Sequence, residues 1–190
     1  HHKERLKTKK IALVLCGMLL AGCASQPKSV ILNPVYKAGK VADFNVPVTL
    51  SVEDHRISKF TIKVVDQEPA EYLPDAELSK RVKMVFEQAL KTNGAQLTSM
   101  GSNTLTLHID SFHSKVTESY TQHESNAVAK IKVLATRGTR TFEKTYSGQA
   151  QMTGPLKHEQ AKVEGQLNEL SEQVITRIVS DPALINFFKG

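Results

Sequence analysis

The chain has 190 residues and a formal charge of +6, but residues 1–22 hold five of its Lys/Arg against one Glu. From Cys23 onward 20 basic residues face 18 acidic ones, and so balanced a surface lacks the footprint of a nucleic-acid binder. The two cysteines, Cys16 and Cys23, both lie at or before that boundary, which excludes disulfides and cysteine-ligated metals from the 168 residues that follow Gly22.

The first element in chain order is a targeting segment. Lys3, Arg5, Lys7, Lys9 and Lys10 form a basic region, Ile11 to Leu20 an apolar run, and Leu20-Ala21-Gly22-Cys23 closes it. That is the layout of a secretory signal cleaved between Gly22 and Cys23, with Cys23 as the lipidated residue. The run is about ten residues, and a spanning helix needs roughly 20, so it is read as a signal and not as an anchor. The anchor is then covalent lipid on Cys23, which holds through several acyl chains at about 0.8 kcal/mol per buried methylene. Ala24 follows, and the absence of Asp there points to sorting to the outer membrane, facing the periplasm. No other cofactor is expected.

Residues 23–45 read as a lipidated N-terminus and tether, with a short apolar patch, Val30–Val35, that Pro34 confines to a sheet edge or to loose packing on the domain. This patch is expected to orient the domain at the membrane and to leave a polar Ser119–Asn126 loop facing the periplasm. Residues 46–190 read as one domain. Val46, Val48, Leu50 and Val52 alternate with polar residues and predict a strand, and Phe60, Ile62 and Val64 predict a second, before a Pro69–Pro74 loop. Leu78, Val82, Val85, Phe86 and Ala89 fall at helical spacing, stopped by Asn93-Gly94. Three alternating runs follow, through Leu105-Leu107-Ile109, Ala127–Ala135 and Phe142–Met152, with a tight turn at Arg137-Gly138-Thr139. A second helix spans about 158–180, and Asp181-Pro182 opens a short terminal one anchored by Leu184, Phe187 and Phe188. The order β-β-α-β-β-β-α predicts an α+β fold, an antiparallel sheet with two amphipathic helices on one face.

Candidate chemistry is sparse. His55, His108, His113, His123 and His158 follow the signal, none at HxH or HxxxH spacing, so no metal site is expected. His108 and Asp110 could pair as base and orienter, yet their place in a Thr-rich polar face favours simple solvation. There is no Gly-x-Ser-x-Gly elbow and no phosphate-binding glycine loop, and the chain is not expected to be an enzyme. Asp54 and Arg56 follow the first strand, where an ion pair would lock the turn.

Four features together resemble the YajG-type outer-membrane lipoproteins of Gammaproteobacteria. They are the Leu20–Cys23 motif, the Val48-to-Arg56 strand, the helix ending Asn93-Gly94, and the stretch from Thr145-Tyr146-Ser147-Gly148 to Asp181–Phe188. The resemblance covers nearly all of the chain after the signal and carries no catalytic signature. It implies a non-catalytic outer-membrane lipoprotein, with membrane contact through acylated Cys23 and a periplasmic or outer-membrane protein as partner. The expected role is an adaptor or assembly factor in envelope biogenesis. The alternative is a lipid or glycan carrier, which needs a cavity above roughly 300 Å³ between helices and sheet.

Overall fold

The computed structural model describes residues 29–65, 71–74 and 77–190. Gly22 and Cys23 lie outside the described residues. The strands are β1 (Ser29–Val30), β2 (Pro47–Asp54), β3 (Ile62–Val64), β4 (Glu71–Pro74), β5 (Gln96–Leu97), β6 (Asn103–Glu118), β7 (Gln122–Arg137) and β8 (Arg140–Pro155). The helices are α1 (Leu78–Thr92), α2 (Gln160–Val179) and α3 (Pro182–Lys189).

β6 is the spine of the sheet. One of its edges pairs antiparallel with β7 along its whole length, and β7 pairs antiparallel with β8. Its other edge is shared: β2 lies parallel to it from Thr49–Thr104 to Asp54–Ile109, and β3 lies parallel from Ile62–Ser114 to Val64–Val116. β5 extends the sheet beyond β2 in parallel, β4 beyond β3 in antiparallel, and β1 joins β4 in parallel. The fold is α+β as expected, but the sheet is mixed and not purely antiparallel. Periodicity of two tells which side chains share a face; it says nothing of a neighbour's direction. The chain leaves β2, forms α1 and returns, so β6 meets β2 as a parallel partner by crossover.

Alternation decides the two faces. Leu105, Leu107 and Ile109 of β6, Ala127 to Ala135 of β7, and Val48 and Leu50 of β2 all point to one side and are buried. Both long helices cover that side. Val82, Val85 and Phe86 of α1, and Val163, Leu167, Leu170, Val174 and Ile178 of α2, pack into a single apolar core with them. The other face carries Thr49, Ser51, Thr104 and Thr106, joined as a hydroxyl ladder: Thr49 bonds Thr98 at 3.0 Å and Ser51 bonds Thr106 at 3.0 Å.

Three expectations change at the element scale. Residues 71–74, expected in a loop, form β4. The polar stretch expected as a long Ser119–Asn126 loop is mostly strand: β7 starts at Gln122, and Ser119 closes a short turn by accepting the Gln122 N–H on its Oγ at 3.2 Å. From Ser29 on, the expected tether is part of the folded body, because Val30, Leu32, Tyr36 and Phe44 are core residues. Burying those side chains stabilises more than leaving the segment free.

Candidate functional site

The β2–β6 register sets Glu53 directly opposite His108 on the helix-free face. The chain then turns, and the His55 N–H donates to the Ile109 carbonyl at 3.0 Å, which swings its ring over His108. The two imidazoles stack with centroids 3.8 Å apart and planes 16° apart. Glu53 Oε2 lies 2.9 Å from His55 Nε2 and 2.9 Å from His108 Nε2. Side-chain exposure is 55 % for Glu53, 45 % for His55 and 16 % for His108, so the cluster sits in a sheet face open to solvent. The sequence separation of 53 residues between the two histidines hides this meeting; only strand register reveals it. Asp110, weighed above as an orienter of His108 and set aside in favour of solvation, falls at the irregularity between Ile109 and Ser111.

Asp54 and Arg56 meet on the opposite side of the same turn. The Arg56 N–H donates to Asp54 Oδ1 at 3.1 Å, Nε to Oδ1 at 2.9 Å and Nη2 to Oδ2 at 2.9 Å. Arg56 is 4 % exposed, so this bidentate pair is withdrawn from solvent and fixes the turn that carries His55. Burial acts to raise the Asp54 pKa, but the Arg56 bonds and charge, with Lys59 behind them, outweigh it and hold the carboxyl below its ordinary value. His113, farther along β6, has its pKa lowered by burial and by the charges of Lys115 and Arg56. Its ring packs on Phe60 at 5.3 Å.

A second region of interest is the β8 border. Among the described residues no strand pairs with the outer edge of β8, which runs for 16 residues. α2 crosses over this strand so closely that a Cβ on Gly148 would stand 2.9 Å from Leu170 and 3.1 Å from Val174. Arg177 of α2 donates to the Ser147 carbonyl, which therefore points outward. Beside them lies a groove of about 850 Å³, lined by Lys37, Gln149, Glu169, Glu172, Thr176 and Arg177 among others.

The N-terminal segment runs along α2 from Gln160 in its first turn to Glu172. Gln160 Nε2 donates to the Ser29 carbonyl at 2.9 Å, the Asn33 N–H to Asn168 Oδ1 at 3.1 Å, and the Val35 N–H to Glu172 Oε1 at 2.9 Å. At the Ser29 end, His158 Nδ1 meets the nearly buried Glu118 at 2.5 Å, and the Leu156 N–H donates to the Thr121 carbonyl at 2.9 Å. The chain's entry point thus sits at the same end as the β6–β7 turn. That reverses the expected placement, which put this turn away from the tether.

At the C-terminus, Asp181 caps α3 by accepting the Ala183 N–H at 2.9 Å. It also accepts from Tyr146 at 2.7 Å and Lys144 at 2.6 Å. Burial pushes the Tyr146 phenol up, and its bond to Asp181 pushes it further. Phe187 packs on Phe142 at 5.5 Å and Phe188 on Phe44 at 5.8 Å, anchoring the terminus as expected.

No helix among the described residues is long and apolar enough to cross a membrane. A solved structure of an uncharacterized protein is similar over 81 % of this chain and 97 % of its own, with a TM-score of 0.55 and 13 % identity, and shares the fold. A Xanthomonas campestris protein gives a TM-score of 0.48 at 15 % identity over 85 % of this chain and 95 % of its own. The rare lipoprotein B of Shewanella oneidensis gives 0.43 at 12 % identity over 73 % and 96 %. No curated protein matches the chain significantly. Residues 37–189 match the family described as uncharacterized lipoprotein, a span that runs from before β2 to the end of α3, and the chain belongs to that lipoprotein family.

Proposed function

We propose that this lipoprotein is a YajG-type, non-catalytic protein of the outer membrane that faces the periplasm and acts as an adaptor or assembly factor for the envelope. It docks an extended segment of a partner protein along β8. The open 16-residue edge of that strand carries the reading. An unpaired edge presents a row of N–H and C=O groups that only another strand satisfies along its length. Supporting it is the path of residues 29–35: with Ser29 held at the start of α2 and Cys23 six residues earlier, that end of the sheet stays within roughly 20 Å of the lipid. β8 then extends away from the membrane, its edge accessible from the periplasm. The alternative, a lipid or glycan carrier, would use the groove beside β8. The charged Lys37, Glu169, Glu172 and Arg177 of its lining suit a glycan better than an acyl chain, and the helix stripes are packed onto the sheet, leaving them no lipid to line.

The test is site-specific photocrosslinking in intact cells. A crosslinker at Gln149, in mid-β8, should capture one envelope protein that a crosslinker at the exposed Met84 of α1 does not. Because Ser147's carbonyl points outward, its N–H lies on the outer edge as well, so Ser147→Pro should remove an edge donor and abolish the capture from Gln149. Equal profiles from Gln149 and Met84 would refute docking at this edge.

A further inference from the structure

We infer that Glu53, His55 and His108 bind a transition-metal dication of borderline softness, with Zn²⁺ the ion they suit best. The donor set is two imidazole nitrogens and one carboxylate oxygen, which matches zinc and its neighbours and not the all-oxygen preference of Ca²⁺ or Mg²⁺. All three ligand atoms lie within 4.8 Å of one another. Bond lengths of about 2.0–2.2 Å at tetrahedral angles separate ligand atoms by roughly 3.4 Å, so the present 2.9 Å contacts need open by only about half an ångström. His108 is largely enclosed, so the adjustment falls to the exposed Glu53 and His55, whose ring must swing out of the stack for both Nε2 atoms to converge on one ion. The backbone under them is stiff: Glu53 and His108 are paired across the β2–β6 ladder, and the Asp54–Arg56 lock fixes the turn beneath His55.

Charge points the same way. A bound dication would meet one carboxylate and two imidazole nitrogens, a ligand set that carries one negative charge against its two positive ones. Lys132, opposite His108 on β7, is drawn to Glu143 at 3.0 Å. Three protein ligands on an open face leave the fourth position to water or to a donor from a partner. The site lies some ten residues of β6 away from the β6–β7 turn, and it is independent of the β8 edge, so either reading stands if the other falls.

Isothermal titration of the full-length protein in detergent with ZnCl₂ tests this. One saturable site per chain is expected. His55→Asn, His108→Asn and Glu53→Gln should each weaken it at least about the tenfold to hundredfold that losing even an outer-shell partner costs. His113→Asn should leave it unchanged. Co²⁺ in place of Zn²⁺ should give the visible d–d bands of a histidine-ligated ion, lost in His108→Asn. Each variant's thermal melt should match the parent, since the three side chains lie on a solvated face. Absence of a one-to-one site, or unchanged affinity in His55→Asn and His108→Asn, would overturn the inference.

Discussion

Asn93 shows how much a single side chain can decide. Its position before Gly94 reads as a helix stop, and Gly94 does adopt a φ of 90°, the left-handed turn that ends α1. The side chain does more. Asn93 Oδ1 accepts from the Val41 and Ala42 N–H groups at 2.8 and 2.9 Å, while Nδ2 donates to Tyr36 Oη at 3.0 Å and the Ala89 carbonyl at 2.8 Å. It is fully buried, so Asn93→Ala leaves the Val41 and Ala42 N–H groups without that acceptor and opens a gap beside Tyr36, and is expected to cost about 2–4 kcal/mol, measured by urea denaturation. Gly148 poses the reverse case. A Cβ there meets Leu170 and Val174, so Gly148→Ala should cost roughly 1–3 kcal/mol through overpacking, seen as a lowered urea midpoint with unchanged m. Neither requirement is legible in sequence, where Asn93 and Gly148 look like ordinary turn and strand residues.

At the scale of elements the helical stripes were readable, because apolar residues at spacings of three and four leave one geometry. Val85 and Leu170 face the sheet from α1 and α2, and Val85→Asp or Leu170→Asp puts a charge into the core. Either should prevent cooperative unfolding by circular dichroism. The α2–α3 junction responds to pH. Burial acts to raise the Asp181 pKa, but bonds from Lys144, Tyr146 and the Ala183 N–H outweigh it and hold the carboxyl below its ordinary value of 3.8. A carboxyl that binds its proton more weakly folded than unfolded adds stability above the unfolded value, and that stability is lost as pH falls through 3.8 toward the folded one. Asp54 acts in the same sense. Both remain partly exposed, which screens the effect. The unfolding free energy of Asp181→Asn should therefore fall less steeply than the parent's as pH drops below about 5.

For the whole molecule, the proposed membrane-facing end follows from the path of the N-terminal segment along α2. With lipid on Cys23, a photocrosslinker at Tyr120, which is 97 % exposed in the β6–β7 turn, should capture lipid, and one at Thr139 in the opposite β7–β8 hairpin should capture periplasmic protein. Lipid capture from both would contradict this orientation. Cys23→Ser should leave an unacylated precursor, checked by the absence of labelled palmitate. Residues 29–190, expressed without the signal, hold the entire described core and should unfold in a single cooperative transition.

Sequence alone determined the amphipathic helices and the long strands, and it carries the expected signal and lipidation point, because each depends on neighbours near in the chain. Helix stripes repeat within one turn or two, strand alternation within a few residues, and the Leu20–Cys23 motif is contiguous. Tertiary structure decided the rest. Parallel pairing of β2 and β3 with β6, the folding of residues 29–45 into the body, and the meeting of Glu53 and His55 with His108 all depend on strand register across dozens of residues. Side-chain periodicity fixes a face but not a partner, and so the chain shows Glu53 and His55 at one strand end and His108 in another strand with nothing to say that they meet.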